Sequence, residues 1–148
     1  MDTELVARLR AVIPRLARVL NDTSTGADLT PTQYSVLALT HVRGPLGLTE
    51  LTELEGLNPT MLSRVVKVLD ERGLIRRMQD PGDLRAARIE VTPEGARIHE
   101  LVRTERTKVL SECLEALPPD TASMLLKAVP DLEALAIALK PPAKLAKG

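Results

Sequence analysis

Three observations predict a mainly α-helical chain in which one helix runs directly into a short β-hairpin. Asn58 is a good N-cap, Pro59 a good first helical residue and Gly73 a permissive left-handed stop, so residues 58–73 are framed as a helix at both ends. After Gly73 the period changes, and residues 74–78 and 85–91 read as two short strands separated by a turn at Pro81-Gly82. Apolar stripes at helical spacing recur on both sides of this unit. Helix and hairpin together make a winged helix-turn-helix with a two-stranded wing, flanked by N- and C-terminal helices.

The first helix is carried by Leu5, Leu9, Val12, Leu16 and Val19, which recur in steps of four and three and are widened by Ile13 and Leu20. Pro14 removes one backbone hydrogen bond within it and is expected to bend the axis. In the framed central helix, Leu62, Val65, Val66 and Leu69 share one face, and Thr60, Arg64, Lys67 and Glu71 lie opposite. In the second strand, Ala87, Ile89 and Val91 alternate with Arg88 and Glu90, as in a half-buried strand. Thr92 then caps a helix beginning at Pro93, whose apolar surface includes Ile98, Leu101, Val102, Val109, Leu110, Cys113, Leu114 and Leu117. It extends for about six turns to Pro118-Pro119. A final helix carries Met124, Leu125, Val129, Leu132, Leu135, Ala136 and Leu139, with Pro130 as a kink, and stops before Pro141-Pro142.

A winged-helix domain needs only about 70 to 90 residues, so the remaining amphipathic helices must bury their stripes elsewhere. Pairing with a second copy is one solution. Folding of the same helices back onto the central domain of a monomer is the other.

Charge is placed rather than general. The chain is formally neutral, with 20 basic and 20 acidic residues. Between Asn58 and Arg77, however, Arg64, Lys67, Arg72, Arg76 and Arg77 outnumber Asp70 and Glu71 by three. Double-stranded DNA is therefore the expected partner. Arg64 lies mid-way along the exposed face, where a guanidinium reaches phosphate or pairs with guanine; the competing role is a salt bridge to Asp70 or Glu71. Asn58, Thr60 and Ser63 sit at the helix N-terminus, where short polar side chains and backbone amides hold phosphate or simply cap the helix. Lys67 is expected to position the DNA backbone, and Arg88, with Arg76 or Arg77, to add phosphate contacts.

The order and spacing of these motifs resemble the MarR family of winged-helix transcriptional regulators. Residues 29–37, LTPTQYSVL, resemble the start of the family's second helix, and residues 48–51, LTEL, the start of its third. Residues 80–85, DPGDLR, followed by IEVTPEG at 89–95, resemble its wing and the entry to its fifth helix, although Leu84 stands where the family often has a basic residue. The resemblance implies that Arg85 enters a minor groove, where a narrow A/T-rich tract concentrates negative potential, and that Asp83 supports the wing. It also implies a homodimeric repressor of a pseudopalindromic operator, relieved by a small-molecule effector whose binding residues it does not identify. The organisation is then one MarR-like chain over 1–148, with a DNA-binding region at 29–92, dimerisation helices at 1–21 and 93–140, and a disordered tail at 141–148. The rival reading is a winged-helix module for protein–protein interaction, against which stands the basic, hydroxyl-rich face, since protein interfaces centre on aromatic or aliphatic anchors.

Composition narrows the remaining classes. A content of 44% hydrophobic residues suffices for a core, and with Tyr34 the sole aromatic among Phe, Trp and Tyr, that core is built from Leu, Val, Ile and Ala. The acidic start Met1-Asp2-Thr3-Glu4 and the lack of any apolar run near 18 to 20 residues predict a cytoplasmic protein with no membrane partner. Cys113 is the only cysteine and falls on the apolar side of its helix, so it is expected to be buried and unpaired. His41 and His99 have no metal-ligand spacing to each other or to a carboxylate, so they are expected to be structural or surface histidines. With no phosphate-binding glycine loop, CxxC or nucleophile elbow, neither an enzyme, a metal nor a cofactor is expected.

Overall fold

The computed structural model describes residues 1–22 and 27–139, apart from the side chains of Asp80 and residues 83–86. The expected tail at 141–148 therefore lies outside the described residues. Elements run α1 (Thr3–Asn21), α2 (Pro31–Arg43), β1 (Leu46–Gly47), α3 (Leu48–Glu55), α4 (Pro59–Glu71), β2 (Ile75–Asp80), β3 (Asp83–Val91), α5 (Pro93–Ala116), α6 (Pro119–Lys127) and α7 (Val129–Ala138). They form two compact units, Met1–Val109 and Leu110–Gly148.

Helix starts follow the side chains that satisfy otherwise orphaned amides. Asp2 Oδ1 accepts from Glu4 N and Leu5 N at the head of α1. Thr30 and Gln33 form a reciprocal capping box ahead of α2, and Asn58 Oδ1 accepts from Met61 N at 2.8 Å ahead of α4. Thr92 Oγ1 accepts from Gly95 N ahead of α5. Pro14 is carried inside α1, which continues unbroken to Asn21. The single kinked helix expected near Pro130 is instead two helices, α6 and α7, separated at Ala128. Pro130 lies in the first turn of α7, where a missing N–H costs nothing.

The sheet is antiparallel and three-stranded, in the order β1-β3-β2. Leu46 pairs with Ile89 and Gly47 with Arg88, which adds a short third strand to the expected two. The hairpin is also tighter than expected. Strands β2 and β3 reach Asp80 and Asp83, leaving Pro81-Gly82 as the turn, with a register irregularity between Gln79 and Asp80.

The core of the first unit lies where α2, α3, α4, the sheet and the start of α5 converge. Val36, Leu37, Leu51, Leu62, Val66, Leu69, Ile75, Ile89 and Val102 are almost wholly removed from solvent. Each such side chain contributes roughly 1.5–3 kcal/mol relative to exposure. The expected core face of α4 is buried at Leu62, Val66 and Leu69, with Val65 packed against it and half-buried. Where α5 meets the end of α4, Thr92 Oγ1 donates to Gly73 O at 2.5 Å and Thr92 N to Leu74 O at 3.0 Å. Gly95 lies in this contact, and a methyl group there would sit 1.9 Å from the Leu74 carbonyl oxygen.

Other helices bury almost nothing within the chain. No residue of α1, α6 or α7 is buried, and Leu5, Leu9, Val12, Leu16, Val19, Met124, Leu126, Leu132 and Ile137 are all exposed. Cys113 is exposed as well, contrary to expectation, because only Gly95, Ile98, His99 and Val102 of α5 are buried within this chain. Among the described residues, no helix is long and apolar enough to cross a membrane.

Candidate nucleic-acid interface

Helix α4 presents the face that its sequence predicts. Pro59 fixes the first turn, Asn58 caps it, and burial of Leu62, Val66 and Leu69 turns Thr60, Ser63, Arg64 and Lys67 to solvent. Arg64 forms neither of the salt bridges expected as its alternative role: among the described residues it has no hydrogen bond or ion pair. Glu71 lies instead 4.0 Å from Lys67, and both side chains are so exposed that water and salt weaken the pair. Beside this face, α3 and α4 enclose a cavity of about 190 Å³ lined by Leu48, Thr49, Thr52, Pro59, Leu62 and Ser63. The Thr52 hydroxyl is already used, donating to Leu48 O at 2.8 Å, whereas Ser63 remains open.

The wing is less uniform than the alternation of its residues suggests. Arg76 bonds Glu90 across the strands, which removes it from the free cations. Arg88 is half-buried, with one guanidinium nitrogen donating to Pro45 O at 2.9 Å and its Nε enclosed without a partner among the described residues. This arginine braces β3 against the chain entering β1, a role hidden from the sequence because β1 is only two residues long. Arg77 is exposed and aligned with Ile89. The side chains of Asp83 and Arg85, assigned to the wing by resemblance, lie outside the described residues.

Helix α4 is held from behind by a contact with no local sequence signature. Arg72, just beyond α4, donates to Asp28 O at 2.8 Å and Ala27 O at 2.6 Å, tying the approach to α2 to the end of α4. Asp28 takes a positive φ of 53° there.

His41 and His99 are not isolated in space. Their ring centroids are 4.5 Å apart, and His99 also stacks on Tyr34 at 5.8 Å with the planes 6° from parallel. Arg106 lies over the Tyr34 ring, 4.3 Å from its centroid. The spacing contained a signal: Tyr34 and His41 are seven residues apart, as are His99 and Arg106, so each pair shares a helix face. Which two faces meet was not legible. Burial raises the Tyr34 phenol above its ordinary value against the opposing pull of Arg106 and Arg103. Burial, followed by the nearby His41, lowers His99. Among the described residues no three potential ligands gather to hold a metal ion.

Comparison with known proteins finds chains of similar sequence and fold. Residues 29–87 match the model of the MarR family. The multiple antibiotic resistance protein MarR of Salmonella typhimurium is 29% identical over 116 residues, covering 76% of this chain and 81% of its own. The crystal structure of RV1404 from Mycobacterium tuberculosis superposes with a TM-score of 0.77 at 23% identity, covering 95% of this chain and 97% of that one. A cysteine-to-serine mutant of MarR from E. coli, complexed with operator DNA, superposes with a TM-score of 0.63 at 22% identity, covering 87% of this chain and 93% of that one.

Proposed function

We propose that this chain, a member of the MarR family of transcriptional regulators by its match over residues 29–87 and its similarity to MarR itself, acts as a homodimeric repressor of a pseudopalindromic operator. The observation that carries the reading is the α4 face, on which Thr60, Ser63, Arg64 and Lys67 are exposed together and Arg64 has no intramolecular partner among the described residues. A cation left free on a helix beside a hydroxyl-bearing N-terminus suits a major groove: the amides and hydroxyls at Asn58, Thr60 and Ser63 take phosphate, Arg64 reads a base edge or phosphate, and Lys67 sets position. That a MarR mutant of the same fold is complexed with operator DNA supports DNA binding. Arg85, with Asp83 as its support, serves a flanking minor groove, while Arg88 acts through its brace on β1.

Dimerisation is supported by the exposed apolar faces of α1, α6 and α7, since a soluble monomer rarely leaves so many large aliphatic side chains in water. Residues 29–92 then form the DNA-binding region, and 1–21 with 93–140 the pairing helices. Two-fold symmetry sets the two α4 helices on half-sites about one DNA turn apart, so the operator mirrors the protein. A small effector relieves repression only by favouring one spacing of those helices over another; equal affinity for both changes nothing.

The test is selection of bound duplexes from a random-sequence pool, followed by footprinting of the DNA upstream of the protein's own gene. A protected, approximately palindromic site is expected. Absence of any sequence-selective binding, with the protein folded and dimeric, refutes the reading in favour of a protein-interaction module.

A further inference from the structure

The only tyrosine and both histidines of the chain occupy one place, the seam between α2 and α5. From α2, Tyr34 and His41 project on one face; from α5, His99 stacks on Tyr34 and meets the His41 ring at a tilt of 34°, and Arg106 covers Tyr34. His99 is 8% exposed, and its Nδ1 is enclosed without a hydrogen-bond partner among the described residues.

This arrangement accepts a neutral imidazole and penalises a charged one. An imidazolium donates from both nitrogens, so protonation turns Nδ1 into a buried donor with nothing to receive it. The groups that bear on His99 are His41 and Tyr34 from α2, and Glu100, Arg103 and Arg106 from α5. Of these only Glu100 favours the charged form, and its carboxylate is already engaged by Arg103 at 3.2 Å. Arg106 already supplies the cation on the Tyr34 ring.

We propose that Tyr34, His41 and His99 form a proton-operated latch between α2 and α5, closed while His99 is neutral and opened when it takes up a proton, so that mild acidification loosens the helix-turn-helix and weakens operator binding. The last step rests on the DNA-binding reading; the latch itself does not. The sign follows from linkage. A histidine held below its ordinary value stabilises the closed state fully above that value of about 6.5, and the contribution is lost as the pH falls from there through the folded-state value. Operator affinity is therefore expected to be highest at neutral pH and to fall on acidification.

The experiment uses the full-length protein. With only two histidines, their Cε1–H resonances are followed from pH 8 to pH 5, and amide hydrogen exchange is compared at pH 7.5 and 5.5 after correction for intrinsic rates. His99 is expected to titrate below the ordinary value, with protection in α2 and the first half of α5 falling alongside it. His41→Gln, a change at an exposed position, should move the His99 midpoint upward, because the neighbouring imidazole is gone; His99→Gln should abolish the pH-dependent loss of protection. An ordinary midpoint for His99, or equal corrected protection at the two pH values, overturns the latch even if His99→Gln fails to fold, since both are read on the wild type. For regulation, affinity is measured at fixed salt for a duplex that the protein itself selects from a random pool. Between pH 7.5 and 5.5 the wild type is expected to lose affinity, and His41→Gln, in which His99 is held less far below its ordinary value, to lose less. Unchanged wild-type affinity over this range refutes the regulatory role. Failure to select any duplex refutes the DNA-binding reading, while the titration and exchange measurements still decide the latch.

Discussion

Replacing Gly95 by alanine sets two physical effects against each other. Helix propensity alone predicts stabilisation of up to about 1 kcal/mol, because Gly95 lies in α5 without a positive φ. Packing predicts the opposite. The new methyl group would lie 1.9 Å from Leu74 O, 2.8 Å from Val91 Cγ2 and 2.9 Å from Leu74 C, and two of these three atoms are backbone. Reaching even 3.0 Å from the carbonyl oxygen requires a displacement of 1.1 Å. A movement of that size breaks the bond from Thr92 N to Leu74 O and strains the one from Thr92 Oγ1 to Gly73 O, which anchor α5 to the end of α4. Overpacking costs about 1 to 3 kcal/mol and each hydrogen bond about 0.5 to 1.5 kcal/mol, so the expected net loss is roughly 3 kcal/mol. That is a large part of the roughly 5 to 15 kcal/mol typical of a folded domain. Urea unfolding followed by circular dichroism, at one fixed protomer concentration, measures it. Gly47→Ala is the control: its methyl group meets nothing closer than Glu50 Oε1 at 3.4 Å, so it should cost no more than about 1 kcal/mol as a cap change. A Gly95→Ala protein as stable as the wild type, or more so, would refute the close approach of α5 to Leu74.

Arg64→Ala should weaken binding to the selected duplex by about 1 to 3 kcal/mol and relax preference at one base per half-site if the guanidinium reads guanine, as a binding-site selection on the variant would reveal. Affinity should also fall steeply with salt, and removing a phosphate-binding side chain such as Lys67 should lower the log–log slope by about 0.9 for each phosphate no longer neutralised; a salt-independent constant would remove the basic face from the interface. Asn58→Ala leaves Met61 N without its acceptor, so it should cost about 1 kcal/mol in thermal unfolding. A chain ending at Pro118 lacks α6 and α7 and should be monomeric or aggregated by light scattering, with little operator affinity; a soluble dimer would show that the pairing surface lies elsewhere.

What could be read in advance was local in chain distance. The frame of α4 followed from Asn58, Pro59 and Gly73 because caps act over three or four residues, and its two faces followed from a period of 3.6. The break at Pro81-Gly82 and the cap at Thr92 were legible for the same reason. Cys113 was misplaced because an apolar stripe identifies which side of a helix seeks burial without saying whether the same chain supplies the cover. The meeting of the histidines is not legible in the sequence because a contact between α2 and α5 spans 58 residues, from His41 to His99, with no repeating pattern to announce it.

The sequence by itself determined the order of helices and hairpin, the polar face of α4, the local excess of positive charge and the surplus of apolar stripes in the terminal helices. These depend on backbone hydrogen bonding and side-chain periodicity within a few turns. Tertiary structure decided that two residues at Leu46-Gly47 join the sheet, that Arg88 turns inward to Pro45 while Arg64 has no partner among the described residues, that Arg72 grips Ala27 and Asp28, and that Tyr34, His41 and His99 share one seam. Each of these is a meeting of groups far apart in the chain, and its geometry exists only once the core around Leu37, Leu62, Leu69 and Ile89 has closed and fixed the distance between the elements that carry them.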